Sequence, residues 1–227
     1  MPDTWVFTRD ILQAPKSRQR VRLNATIPPT IGESIWNAHW PEGCYSRVWI
    51  VTGSIYAAFA HGAVPPFEFE MVVITTGNAS EPHVAVDPNG WLVIVYTRTV
   101  GAAKDTMRAT SYDHGKTWTT PTVAIASGTH PLVVCTPEGH TVVAAYVAGK
   151  IWYTFQAAGD ASPSAAAPVD DAAGADLLVT DNQFGLSRGF AHDSPWVLAV
   201  VVQGETGISE WISWDMEGSA ASFKRKT

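Results

Sequence analysis

Ser111-Tyr112-Asp113-His114-Gly115-Lys116-Thr117-Trp118 lies between two strand-like runs and spells Ser-x-Asp-x-Gly-x-Thr-Trp. Each fixed position has a physical task. Asp113 is short and acidic, so it can accept hydrogen bonds from the amides of its own turn. Gly115 supplies the positive φ that such a turn demands. Ser111 and Thr117 suit strand ends and can bond locally. Trp118 folds back as an apolar plug. These requirements describe a self-sufficient hairpin cap, and none of them calls for a substrate. His114 occupies a freely varying position.

Outward from this cap the chain repeats. Three Pro-x-Gly corners occur, Pro41-Glu42-Gly43, Pro88-Asn89-Gly90 and Pro137-Glu138-Gly139, with their prolines 47 and 49 residues apart. Proline presets φ and glycine takes the unusual conformation of a tight turn. Short apolar runs flank each corner: 35–40 and 47–51, 82–87 and 91–96, 131–136 and 141–146. A weaker copy runs 187–193 and 196–202, with its turn near Ser194-Pro195. Third strands are expected at 54–60, 106–111, 150–156 and 208–215, and fourth strands at 71–74, 122–125 and 177–180. Four antiparallel strands in roughly 48 residues is the period of a propeller blade. The strands are often apolar on both faces, as sheets stacked between neighbours should be.

The expected fold is therefore all-β, a small propeller of about four four-stranded blades at 28–78, 79–127, 128–180 and 181–223. The fourth repeat runs out of chain after Phe223, and 21–27 alternates like a strand, so the N-terminal strand is expected to close the last blade and remove an open sheet edge. Residues 1–20 remain as an arm or hairpin, with 21–227 as the propeller domain. A five-bladed ring, or an array completed by another chain, is the alternative. Ser213, Asp215, Gly218 and Phe223 form a degenerate, stretched version of the 111–118 turn. The Ala/Ser/Pro/Asp-rich segment 157–175 reads as a mobile surface loop.

The octet resembles the Asp-box of sialidases and related β-propellers, where it is a structural turn between the third and fourth strands of a blade. The resemblance covers 79–127 well and the other repeats in outline. It implies a fold in which Ser111, Asp113, Gly115, Thr117 and Trp118 are structural. Sialidases also use an arginine cluster, a Tyr/Glu nucleophile pair and an acid/base Asp. This chain has Arg47, Arg98, Arg108 and Arg188 in its body, but lacks the Phe/Tyr-Arg-Ile-Pro motif of the first catalytic arginine. No catalytic residue carries over by position.

Composition narrows the function. Across 227 residues the net charge is −6, yet residues 1–24 and the tail Lys224-Arg225-Lys226 each carry +3, which leaves −12 on the body between them. An acidic body argues against nucleic acid, while basic ends on it can pair with a neighbouring subunit. No apolar run reaches the ~20 residues of a membrane helix. The first residues lack a basic segment followed by an apolar one, so no signal peptide is expected. Cys44 and Cys135 are too few for a disulfide framework or a zinc cage. The seven histidines lack metal-binding spacing, and neither a phosphate loop nor a nucleophile elbow occurs. No cofactor or metal is expected. Glu68/Glu70 read as the outward face of a turn, and Asp170/Asp171 lie in the flexible insertion.

The Pro-x-Gly corners and the 111–118 turn share one face of such a propeller. The opposite face carries the second-to-third loops and the blade connectors, where ligands of related propellers usually bind. Its candidates are Glu33, Glu81, Arg98, Lys104, His130, Lys150 and Glu205. With no catalytic set found, the expectation is a non-enzymatic propeller acting as a structural or binding module. It would sit in a larger assembly, such as a bacteriophage tail or head decoration, located in a virion or the cytoplasm. Its partners would be proteins, further copies of the chain among them, or a glycan, and neither nucleic acid nor membrane. The alternative is an Asp-box glycoside hydrolase or carbohydrate-binding lectin.

Overall fold

The computed structural model describes residues 36–39, 45–60, 69–113, 115–136, 139–169, 184–191, 194–204, 207–213 and 223–225. Among them are sixteen strands and no helix. They form four antiparallel sheets, each of four strands in sequence order. The first holds β1 (Trp36–His39), β2 (Tyr45–Val51), β3 (Ser54–Ala60) and β4 (Phe69–Thr75). The second holds β5 (Ala79–Val86), β6 (Leu92–Val100), β7 (Ala103–Ser111) and β8 (Thr122–Ile125). The third holds β9 (Thr129–Cys135), β10 (Thr141–Val147), β11 (Lys150–Gln156) and β12 (Ala167–Pro168). The fourth holds β13 (Phe184–Ala191), β14 (Ser194–Gly204), β15 (Gly207–Ser213) and β16 (Phe223–Arg225). The first strand of each sheet lies beside the first strand of the next, which is the arrangement of a propeller's inner strands.

Strand periodicity explains the stacking, because alternate side chains leave a strand on opposite faces. In β6, Leu92, Ile94 and Tyr96 join Val48, Ile50, Ile55 and Ala57 of the first sheet in one core. The intervening Val93 and Val95 join Val133, Cys135, Val143 and Ala145 of the third sheet in another. In β10, Val142 and Ala144 turn the other way, towards a cluster that Phe184 of the fourth sheet packs against. A strand apolar on both faces is thus one blade touching two neighbours. Arg108 adds a polar joint between blades: its guanidinium donates to the Gln156 side-chain oxygen.

Two expectations are revised. The fourth strand of the third sheet is Ala167–Pro168, paired with Trp152 and Tyr153; residues 177–180 lie outside the described residues. Part of the segment read as a mobile loop is therefore a bonded edge. The Ser164 amide donates to the Phe155 carbonyl at 2.6 Å and the Val169 amide to the Ile151 carbonyl at 2.8 Å. The Phe155 amide donates to Ser164 Oγ at 3.0 Å, and Val169 is 0 % exposed. Composition misled because these bonds use backbone, and a proline is tolerated in an edge strand.

In the fourth sheet the outer strand comes from the chain's own C-terminal segment, with Ser213 opposite Phe223. The outer strand expected from 21–27 is thus supplied by Phe223–Arg225, antiparallel to β15. Residues 1–27, and Asp215 and Gly218 within the degenerate turn, lie outside the described residues.

Candidate functional site

The connector face is kept low by short turns. Thr52-Gly53, with φ of 52° and 73°, closes β2–β3, and Ala148-Gly149, with φ of 48° and 88°, closes β10–β11. Positive φ at both central residues is the hairpin geometry that matches strand twist. Gly101-Ala102 also closes β6–β7 with two residues, of which only Gly101, at 61°, has positive φ.

At this face the inner strands β5 and β9 each begin with an irregularity. Pairing shifts between Ser80 and His83 in one, and opposite Ala144 to Tyr146 in the other. At the equivalent place in each bulge a non-glycine residue takes positive φ: Glu81 at 54° and His130 at 51°. Each precedes a proline, a position that proline itself restricts. Such conformations cost about 1–3 kcal/mol and persist where the surroundings over-determine them. Here they aim two side chains at each other across neighbouring blades. His130 Nδ1 lies 2.6 Å from Glu81 Oε1. The His130 amide donates to Glu81 Oε2 at 2.9 Å, and the Thr97 hydroxyl donates to the same oxygen at 2.8 Å. A carboxylate held by three donors is fixed in place, and it orients the imidazole. With the proton on Nδ1 facing Glu81, the basic lone pair of neutral His130 is on Nε2.

Just below, His83 of β5 accepts a hydrogen bond from the Val133 amide of β9 at 3.3 Å. Burial lowers its pKa to about 4. Arg98 reaches Asp105 at 3.3 Å, and Asp105 also accepts the Ser127 amide at 3.1 Å. The Arg98 Nε is buried and has no hydrogen-bond partner. Lys104 is exposed in β7, and Lys150 is the half-buried first residue of β11. The structure therefore joins Glu81 to His130, and places Arg98 in a separate pair with Asp105. Glu33 and Glu205 lie outside the described residues. Sequence reasoning missed Thr97, Asp105 and His83. One usable signal was present: Glu81-Pro82 and His130-Pro131 are 49 residues apart, as are Pro88 and Pro137.

The opposite face carries the turns. Asp87 Oδ1 accepts the amides of Asn89 and Trp91 at 2.9 and 2.8 Å. In the next repeat Thr136 substitutes, its hydroxyl accepting the His140 amide at 3.2 Å. In the 111–118 turn, Asp113 accepts the Thr117 amide at 2.8 Å, the Thr117 hydroxyl at 2.6 Å and the Ser111 hydroxyl at 2.8 Å. The Gly115 amide donates to Ser111 Oγ at 2.7 Å, and Trp118 Nε1 to the Gly115 carbonyl at 3.1 Å. Desolvation works to raise the Asp113 pKa, but the bonds from Thr117 and Ser111 outweigh it and hold the carboxyl below its ordinary value. Trp118 is half-buried against the core between the first two sheets. Among the described residues no three His, Cys, Asp or Glu side chains are grouped to hold a metal ion, and no helix is long and apolar enough to cross a membrane.

No family model matches the sequence, and no curated protein matches it. Solved structures do. A Hadza microbial sialidase superposes with a TM-score of 0.58 at 13% identity, over 85% of this chain and 46% of that one. The fold is that of a sialidase-like β-propeller. An ulvan lyase, a polysaccharide lyase, superposes at 0.55 with 8% identity, over 92% of this chain and 63% of its own. An α-L-arabinofuranosidase from Podospora anserina gives 0.50 at 13% identity, over 84% and 65%. The chain spans about half to two thirds of the length of these structures. All three are propellers named for enzymes that act on carbohydrate. That finding overturns the expectation of a non-enzymatic module, which rested on motifs missing from the sequence.

Proposed function

We propose that this chain is a carbohydrate-active propeller whose connector face receives a glycan beside Glu81, Thr97 and His130, and that the 111–118 turn is an Asp-box serving only to cap its blade. The observation that carries this reading is the Glu81–His130 contact between two residues held at positive φ at matching points of adjacent inner strands. Strain repeated at one place, and used to join an acid to an imidazole, supports a site built for proton transfer. His130 Nε2 takes a proton from the glycan group being activated and later returns it. Glu81 keeps the imidazole in register and stabilises the imidazolium, while Thr97 fixes the carboxylate.

The test is a panel of fluorogenic glycosides and soluble polysaccharides. Release of product is followed by fluorescence, and elimination by the ultraviolet absorbance of an unsaturated sugar. Turnover by the wild type should fall by about 10²–10⁴-fold in Glu81→Gln and in His130→Gln. Wild-type turnover unaffected by either change would reject the assigned pair. Glycan binding without turnover, weakened in Glu81→Gln or His130→Gln, would make the same face a lectin site instead.

A further inference from the structure

Trp91 and Tyr112 stand on the turn face, at the end of β6 and β7 away from Glu81 and His130. The nine residues of β6 separate the two faces by about 27 Å. The rings meet edge to face, with centroids 4.9 Å apart and planes at 86°. Both are open to solvent, Trp91 at 40 % and Tyr112 at 57 %. Together they make a right-angled apolar corner.

The corner is held from below. The Trp91 amide is bound by Asp87 Oδ1, and the Trp91 carbonyl accepts the Asp87 amide at 2.9 Å. Tyr112 lies between Ser111 and Asp113, which bond to each other at 2.8 Å. Neither aromatic ring is needed for these turns. The next repeat shows what the position does without display. There the residue after the corner glycine is His140, half-buried, packed on Phe155 with ring centroids 5.5 Å apart. His140 Nδ1 also accepts the Ala158 amide at 3.0 Å. The second blade instead shows two rings to water from a rigid base.

We infer that Trp91 and Tyr112 form an auxiliary binding corner for a neutral polysaccharide chain. Aromatic faces give apolar contact area at low side-chain entropy cost, while their polar tips remain wet. The C–H faces of pyranose rings suit such a corner. The neighbouring carboxylates Asp87 and Asp113 are bound into their own turns, so the corner presents ring faces rather than carboxylates. Exposed Asn89 and Lys116 at its margin can meet sugar hydroxyls. The site is separate from the connector face and rests on the proposed function only for the class of its ligand.

The full chain is run in native gels cast with xylan or hydroxyethylcellulose, and retardation is converted to an apparent Kd. The wild type should be retarded by at least one of the two polymers. Trp91→Ala and Tyr112→Ala should each weaken retardation by about tenfold. Tyr112→Phe should keep most of it. Melting curves establish that each variant is folded. If Trp91→Ala does not fold, the solvent-exposed Tyr112→Ala carries the test alone. No retardation of the wild type, or retardation unchanged in folded Tyr112→Ala, overturns the corner. Glycan turnover alongside that result leaves the connector-face reading standing. Retardation lost in Tyr112→Ala, with no turnover of any glycan, supports the corner and removes the catalytic reading.

Discussion

Asp113 shows how one side chain can organise a turn. It accepts from the hydroxyls of Ser111 and Thr117 and from the Thr117 amide, and Trp118 closes the same loop through the Gly115 carbonyl. Asp113→Ala should cost about 1–3 kcal/mol, because donors lose a charged acceptor. Trp118 is half-buried against the core, so Trp118→Ala should cost about 2–3 kcal/mol, less than a fully buried aromatic. Urea unfolding of each variant against the wild type reads both. Unchanged midpoints in both would remove the turn from the list of stabilising features. Glu81 and His130 sit at the opposite extreme. Their backbones are strained, so their side chains are placed at a cost that a purely structural strand start does not require.

At the scale of elements, the connector between β8 and β9 is a tight joint. A Cβ added to Gly128 would lie 2.5 Å from Thr106 Oγ1, 3.1 Å from the Ala145 Cβ and 3.1 Å from the Ile125 carbonyl. These belong to both adjoining blades and cannot all retreat. Gly128→Ala should therefore destabilise by about 1–3 kcal/mol through overpacking, measured as a lowered denaturant midpoint with an unchanged slope. The same joint starts the strand that presents His130, so the variant should also weaken turnover at the connector face. The third sheet makes a complementary point. Its outer strand, Ala167–Pro168, is made from backbone bonds and one buried side chain, Val169, in a stretch of small residues. A hydropathy pattern has little to register there.

At the scale of the molecule, His83 ties the inner strands of two blades, accepting from Val133. Its pKa is lowered by burial from 6.5 to about 4. Between those values the unfolded chain binds a proton that the folded chain refuses, so stability rises with pH there. The contribution is fully present above pH 6.5 and is lost as the pH falls towards 4, by about 3 kcal/mol in all. Urea unfolding across that window should show the slope. His83→Gln, which keeps an acceptor but does not titrate, should flatten it. A wild-type profile with no slope there would mean that His83 is open to water in solution.

The chain by itself determined the all-β class, the four-strand period and the two kinds of turn. Those features depend on neighbours in sequence: Pro88 and Gly90 shape one corner, Asp113 and Gly115 another, and the double-faced apolar pattern of 92–96 announces a sheet with a neighbour on each side. It also named Glu81 and His130, but among five other loop residues of equal standing. Only the tertiary structure singled them out, because their contact joins residues 49 apart through bulges whose positive φ leaves no mark on composition. Thr97, Asp105 and His83 are legible only there as well. A polar side chain acquires its partner when two blades stack, and no local pattern encodes which blade that will be.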